Sequence, residues 1–311
     1  MTLPNVYIVG APKAGTTSLA RWLACHPSVF FSDPKEPFYW ASDYPGLRSH
    51  HGFDSRESYE ALFESRAARE ARCRVEGSTV YLYSHTAAPR ILQEVPDARF
   101  VIAVRNPVDL LASYHRSQVF TLNEAEHDFH AAWRQSLVGR GSDSALDPKL
   151  IDYPRVGALG AAVQRIARLV PRDRMHVVVF DDLVDDPLSV WVSLTRFAGI
   201  DTNPVPDFRA FNISQKAQRW PRLWRLLQRP PRPLEAPMRQ FRIRSRTIRH
   251  PATIRLKKRL TWRAEPKPTI SPENRAELTT FFRSDVKLLE QVISRPVPGW
   301  TPSTDTGGVC D

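Results

Sequence analysis

Cysteine is scarce in this chain. Cys25, Cys73 and Cys310 are the only three among 311 residues, scattered and odd in number. That pattern supports neither a disulfide framework nor a zinc site. No stretch approaches the ~20 consecutive apolar residues that span a bilayer. The first apolar run, Val6 to Val9, begins too near Met1 to leave room for a signal peptide. A soluble protein of a reducing compartment, most simply the cytoplasm, is the expectation. There is no internal repeat, and no cluster of His, Cys, Asp and Glu offers a metal site, so no metal is expected.

Acids are missing from one place in particular. Between Arg209 and Arg263 there are 17 Lys and Arg against a single acid, Glu235. The formal net charge of +11 therefore belongs to this segment, and the remainder of the chain is mildly acidic. Trp220, Leu223, Trp224, Leu226 and Leu227 are interleaved with the basic residues from Arg222 to Arg263. Three readings stay open for that stretch: a partly helical lid over an anionic site, a membrane-surface contact, or a nucleic-acid patch. No recognisable nucleic-acid module accompanies it. A nucleic-acid partner is not expected, and weak contact with an anionic surface is the most a surface role would amount to.

A hydrophobic fraction of 42% in 311 residues suits one large α/β domain with an appendage. The boundaries expected are a core over residues 1–208, a basic insertion over 209–263, and a C-terminal helix and tail over 264–311. The strongest local signal is Asn5 to Leu19, NVYIVGAPKAGTTSL. Val6 to Val9 read as a buried strand, Gly10 and Gly15 bracket a turn that Pro12 stiffens, and Thr16, Thr17 and Ser18 open a helix. Strand, glycine-containing loop and helix N-terminus converge unpaired amides and the positive end of a helix dipole on one anion. Lys13 adds a full charge to that cradle. The glycine separation is that of the nucleotide pattern G-x-x-x-x-G-K-[ST], but Thr16 follows Gly15 and the lysine stands earlier. The loop is therefore either a degenerate ATPase loop or one shaped for a different phosphate ester.

Ser28 to Ser32 reads as a second strand, leaving Lys35 and Glu36 just past a strand end, where open parallel sheets bind ligands. A solvated charged turn and a general base are both consistent with that pair. A helix is expected over Glu57 to Arg72. Arg74 to Ser78 leads into STVYLY, where Ser78 and Thr79 either cap the next helix or touch a ligand. Arg99 to Arg105 reads as a central parallel strand ending in an arginine suited to bidentate phosphate contact. A helix follows over Val108 to Gln118, with Pro107 in its first turn. Further helices are expected over Glu124 to Leu137 and Val156 to Leu169, then a strand over Met175 to Phe180. Asp181 to Ile200 gives a loop and a helix in which Asp181 and Asp182 hold structure. The last helix runs from Ser271 to Ile293 on Leu278, Phe281, Phe282, Val286, Leu289 and Val292. Strands alternating with helices predict a doubly wound, P-loop-like parallel sheet.

GAPKAGTTSL resembles the 5′-phosphosulfate-binding loop of the sulfotransferases that use 3′-phosphoadenosine 5′-phosphosulfate (PAPS). KEPFYW is similar to the K-E-P-aromatic-aromatic segment of the heparan-type and related bacterial members, and STVYLY to their E-x-[ST]-P-x-Y-L segment. RNPVDLLASYHRS resembles the R-[DN]-P-x-x-R-x-x-S element that binds the 3′-phosphate. The late DDL and the tail SRPVPGW also resemble that family. The resemblance implies PAPS as donor, 3′-phosphoadenosine 5′-phosphate (PAP) as product, and no metal. It implies Glu36 as the base, Lys13 on the oxygen between sulfur and phosphorus, and Lys35 beside the sulfonate. Pro12, Lys13, Ala14, Gly15, Thr16, Thr17 and Ser18 would hold the 5′-phosphate, Arg105 and Ser113 the 3′-phosphate. Lys216 and Arg219 are candidates from a late closing loop. Four departures bear on this: Phe38 stands where relatives often have His, Ala41 where they have Asp, Val80 where Pro is common and Leu110 where Arg is common. A heparan-like acceptor is therefore not expected, and His50 and His51 are alternative bases. The implied function is sulfuryl transfer to a hydroxyl of a sugar, glycolipid or secondary metabolite. A P-loop kinase or NTPase, and a basic nucleic-acid or membrane-surface protein, are the alternatives.

Overall fold

Five short runs rich in β-branched residues form one parallel sheet in this computed structural model: β1 (Val6–Gly10), β2 (Val29–Phe31), β3 (Cys73–Glu76), β4 (Arg99–Val104) and β5 (Met175–Val179). The structure describes residues 3–140, 143–208, 216–218, 262–264 and 269–301. The strand order is β2-β3-β1-β4-β5. Val6 pairs with Val75 of β3 on one side and with Arg99 of β4 on the other. Parallel pairing continues outward to β2 and β5. Every residue of β1 is buried, as is all of β4 except Arg99. That continuous burial is what helices on both faces of a parallel sheet impose. The chain leaves β1 towards β2 on one side and reaches β4 on the other, so the switch of direction lies beside the end of β1.

The helices connecting these strands are α1 (Thr16–Ala24), then α2 (Pro45–His51), α3 (Arg56–Glu60) and α4 (Arg66–Glu70) between β2 and β3, and α5 (Ala87–Glu94) before β4. After β4 come α6 (Pro107–Phe120), α7 (Phe129–Leu137), α8 (Tyr153–Gly157) and α9 (Leu159–Ala167). After β5 come α10 (Phe180–Asp185), α11 (Pro187–Ala198) and, near the chain's end, α12 (Pro272–Ile293). No helix among the described residues is long and apolar enough to cross a membrane. Two strands, β6 (Lys216–Gln218) and β7 (Trp262–Ala264), pair antiparallel and bring the two ends of the basic segment together. Residues 219–261 between them, on which the lid reading rests, lie outside the described residues.

Three helix expectations are corrected by local capping. Glu57 to Arg72 is not one helix: it divides into α3, a short 3-10 turn and α4, because Ser65 turns its hydroxyl onto the Ala68 amide and starts a new N-terminus. The helix expected from Glu124 begins at Phe129, where the Asp128 carboxylate accepts from the Ala131 amide at 2.7 Å. The Glu124 carboxylate is occupied instead by the amides of Ala125 and Glu126 and by the Tyr153 hydroxyl. The helix expected over Val156 to Leu169 starts earlier, at Tyr153, and breaks at Ala158 into α8 and α9.

That break sets α9 against α12. The buried residues Leu278, Phe282, Val286 and Leu289 form the stripe α12 turns inward, whereas Phe281 is half exposed and lies edge-on to Trp133. α9 has no cap from its own chain neighbours. Asp285 of α12 supplies it across the interface, accepting from the Gly160 amide at 2.7 Å and the Ala161 amide at 2.9 Å. The approach is so close that a Cβ on Gly160 would lie 2.1 Å from the Asp285 carbonyl oxygen.

Asp285→Ala is therefore expected to lower unfolding free energy by about 1–2 kcal/mol, the usual loss of a cap. Gly160→Ala should cost about 2–3 kcal/mol by forcing two helices apart. Both are read as a shift in urea midpoint at unchanged slope. An unchanged midpoint for Gly160→Ala would show that the helices separate without cost.

Candidate active site

Parallel pairing puts the ends of all five strands on one edge, and the residues singled out in the sequence follow those ends. After β1, the loop from Ala11 to Gly15 is anchored from below by Ala11 and Ala14, both fully buried. Lys13 (φ 64°) and Gly15 (φ 90°) both take the left-handed backbone conformation. At Gly15 the choice of glycine is forced twice, by that φ and because a Cβ would sit 3.1 Å from Leu183 Cδ1. α1 then begins with no acid in its first turn, so its dipole and first amides stay available to an anion. Pro12, Lys13, Gly15, Thr16, Thr17 and Ser18 line a cavity of about 1050 Å³. Ala14, placed in the cradle by resemblance, is the loop's buried anchor and not part of that lining.

After β4, Asn106 caps α6 by accepting from the Val108 amide at 3.0 Å, and Pro107 occupies the first turn. Arg105 reaches back to the β1 loop, donating to the Lys13 carbonyl at 3.1 Å, and its guanidinium lies 4.4 Å from the centre of the Phe180 ring. Burial draws its pKa down against the raising influence of Asp109 and Asp181. A half-buried cation whose contacts are a carbonyl and a ring face is a ready partner for a bound anion. Asp109, Ala112, Ser113 and Arg116 follow along one face of α6 and line the same cavity. Leu110 points away into the core, fully buried. Positive charge at this wall comes instead from Arg116 and from Arg275 of α12, which pairs with Asp109 at 2.6 Å.

After β2, Lys35 and Glu36 form an ion pair at 2.7 Å. Lys35 also lies 3.4 Å from the Thr16 hydroxyl, and Thr79 reaches Glu36 at 3.5 Å. These contacts join the loops after β1, β2 and β3 around a single carboxylate. Glu36 and Thr79 line the cavity; Lys35 does not, and sits behind Glu36 as its tether. Ser78 serves neither as a cap nor as cavity lining: its hydroxyl accepts from the Phe38 amide at 3.1 Å and donates to Glu76 at 2.5 Å. Phe38 takes the place expected to hold a polar group, and its ring packs edge-on against His51 at 4.6 Å. His50 and His51, at the end of α2, line the cavity beyond Glu36. Asp181 and Asp182 hold structure as expected, accepting from the Trp300 indole and from Arg295. Arg219 and the side chain of Lys216 lie outside the described residues.

The far end of the cavity was not legible in advance. Tyr44, Leu47, Tyr83, Tyr114, Lys149 and Leu150 wall it, and Lys149 sits 4.6 Å from the Tyr44 ring centre while donating to the Asp43 carbonyl. Glu76 was also passed over. It ends β3, is fully buried, and accepts from Ser78, Tyr59 and Tyr81. Burial pushes its carboxyl up to about 7 despite those three donors. The available signals were a carboxylate closing the strand Cys73–Glu76 and its place as the acid of the E-x-[ST] pattern.

A model of the sulfotransferase family matches residues 4–204. Human carbohydrate sulfotransferase 15 is 29% identical over 175 residues, covering 43% of this chain and 30% of that protein. The bifunctional heparan sulfate N-deacetylase/N-sulfotransferase 1 of Caenorhabditis briggsae is 27% identical over 221 residues, covering 69% of this chain and 25% of that protein. This chain thus spans about a quarter to a third of the length of these curated relatives. A sulfotransferase from Alicyclobacillus acidocaldarius, whose crystal structure is known, superposes with a TM-score of 0.69 at 24% identity, over 96% of this chain and 99% of that one. That likeness extends the shared fold past the matched segment. With the family model covering nearly two thirds of its length, the chain belongs to the sulfotransferase family.

Proposed function

We propose that this protein moves a sulfuryl group from PAPS to a hydroxyl of a small-molecule or carbohydrate acceptor. The observation that carries the reading is the convergence of three strand-end loops on one cavity: the cradle of Lys13 and Thr16 to Ser18, the tethered Glu36, and Arg105 with Ser113. These residues fit a nucleotide bearing two separate anionic groups. The cradle supplies amides, hydroxyls and a lysine for a 5′-phosphosulfate. Arg105 and Ser113, on a different strand and helix, offer a second anion site suited to a 3′-phosphate. Trp22 and Phe208, edge to face at 4.9 Å on the same wall, give a planar base an apolar surface.

Glu36 removes the acceptor's proton as its oxygen bonds to sulfur. Lys13 stabilises the charge growing on the bridging oxygen as the sulfur–oxygen bond to the nucleotide breaks, and PAP departs. Lys35, held 2.7 Å from Glu36, aims that carboxylate rather than contacting the sulfonate from the cavity wall. Phe38, Tyr44, Leu47, Tyr83, Tyr114 and Leu150 in the cavity lining favour an acceptor presenting a ring with a hydroxyl over a polyanionic glycan. The cytoplasmic setting, a single domain over the whole chain, and a lid role for the basic segment with Lys216 and Arg219 near the nucleotide belong to the same proposal.

Calorimetric titration with PAP, with ATP and Mg as control, tests the donor. PAP is expected to bind tightly and ATP weakly; preferential ATP binding with turnover would return the loop to the kinases. Lys13→Ala should slow transfer by about 10²–10³, the loss usual for one donor to a developing oxyanion. Arg105→Ala should weaken PAP far more than adenosine 5′-phosphosulfate, and an equal loss for both would remove its assignment to the 3′-phosphate. Glu36→Gln should abolish most turnover while leaving PAP affinity within about twofold, as expected for a residue that acts in the transition state. Full activity of that variant across pH would move His50 or His51 into the role.

A further inference from the structure

We infer that Glu76 is the positioning residue of this site: through Ser78, Tyr59 and Tyr81 it fixes the loop from Lys35 to Trp40 and thereby aims Glu36. The inference rests on the sulfotransferase reading only for what Glu36 does; the loop geometry stands by itself. Glu76 is not among the residues that line the cavity. Its carboxylate is fully buried at the end of β3, directly opposite Tyr7 of β1 in the sheet register.

Each of its three hydroxyl partners reaches the same loop. Ser78 donates to Glu76 Oε1 at 2.5 Å and accepts from the Phe38 amide at 3.1 Å. Tyr81 donates to Oε2 at 3.3 Å and accepts from the Trp40 amide at 3.2 Å. Tyr59 donates to Oε2 at 2.9 Å and accepts from the Trp40 indole at 2.8 Å. A hydroxyl has one proton to give and lone pairs to receive with. An ionised carboxylate that accepts from all three forces each proton inward and leaves each lone pair facing the loop. A neutral carboxylic acid has to donate to one of them, and that hydroxyl's proton is then no longer held inward and turns elsewhere. Direction in the network is therefore set by one group.

The loop needs such a constraint. Phe38, two residues after Glu36, has φ 60°, a conformation side-chain-bearing residues keep only where their surroundings over-determine it. Tyr39 stacks on Tyr59 at 4.4 Å, and Trp40 meets the same ring edge-on at 5.4 Å, so Tyr59 locks the loop by packing as well as by its hydroxyl. The groups that face Glu76 are Tyr7 from β1, Tyr59 from α3, Ser78 and Tyr81 from the turn after β3, and Glu36 from the loop itself. Four of these are hydroxyl groups, and the Glu36 charge disfavours a second ionised carboxylate nearby. With the carboxyl pushed up to about 7, the ordering form is the one present above neutrality.

Hydrogen–deuterium exchange of the full chain at pH 8 tests this without knowledge of the acceptor. The segment 35–41 should exchange at least tenfold faster in Glu76→Gln and in Ser78→Ala, and return to wild-type protection in Ser78→Thr, which restores the hydroxyl. The segment 11–19 should be unchanged, and PAP affinity by calorimetry should stay within twofold. PAPS breakdown with water as acceptor should fall in Glu76→Gln and lose its decline below pH about 7. Unchanged protection over 35–41 in both Glu76→Gln and Ser78→Ala would overturn the inference. If Glu76→Gln does not fold, the Ser78 pair decides alone. If the wild type fails to bind PAP, the sulfotransferase reading falls while the exchange result still decides whether Glu76 holds the loop. Stability adds an independent check. The folded carboxyl titrates at about 7 against an ordinary 4.5, so its contribution is full below pH 4.5 and is lost as pH rises through 7. Relative to Glu76→Gln, the wild-type unfolding constant should rise by roughly two orders of magnitude across that window.

Discussion

Parallel strand pairing is the constraint from which the site follows. When neighbouring strands run the same way, every loop that leaves a carboxyl end emerges on one edge, and residues far apart in the chain become neighbours without further instruction. Lys13, Glu36, Thr79, Arg105 and Phe180 follow five different strands, yet the Arg105–Lys13, Arg105–Phe180, Lys35–Thr16 and Thr79–Glu36 contacts close them into one assembly. An antiparallel sheet with the same loops would scatter them over two edges. The register is held by strands buried on both faces, so the sheet cannot slip without exposing apolar side chains.

On that edge the electrostatics are asymmetric in a way that suits an anionic donor and a neutral acceptor. The cradle end collects Lys13, Arg105, Arg116 and Arg275, opposed in the cavity by Asp109, which Arg275 already engages. The opposite end is largely aromatic and aliphatic, with Lys149 drawn back onto Asp43 and Tyr44. Glu36 lies between the two, its charge compensated by Lys35. Sulfuryl transfer asks little covalent chemistry of a protein and much positioning. A carboxylate proposed as the base, tethered on one side by Lys35 and followed by a backbone held in a left-handed turn at Phe38, is consistent with that demand.

What the sequence made legible was whatever is encoded within a few residues. The β1 loop, the Arg105 strand end, the Lys35–Glu36 pair and the final helix all carry their signals in contiguous patterns of apolar, glycine and hydroxyl residues. Helix breaks were missed where a single hydroxyl or carboxylate won against propensity, as Ser65 and Asp128 did. Beyond reach were contacts joining distant segments. The Asp285 carboxylate capping α9 lies 125 residues from the Gly160 amide it accepts, and Ser78 meets the Phe38 amide across 40. No local pattern distinguishes Asp285 from a solvated helix acid, nor Tyr59 from an ordinary core aromatic. Leu110 shows the converse: the motif around it was clear, but only its burial explains why charge at that wall comes from Arg116 and Arg275.

Glu76 ties these points together. An apolar residue at its position would spare the fold a buried carboxylate and would leave three hydroxyls to pair among themselves. Such a core could be more stable, but its hydroxyl protons would have no fixed direction, and the amides of Phe38 and Trp40 would lose acceptors whose lone pairs are held in place. The unfavourable term is thus local to β3 while its effect appears in a different loop, on the residue proposed to take the proton. The Glu36 charge raises the Glu76 carboxyl through space, and Lys35 pairs with Glu36 at 2.7 Å. Acidification through about 7 protonates the buried Glu76 carboxylate, and the loop order that depends on its ionised form is lost with it.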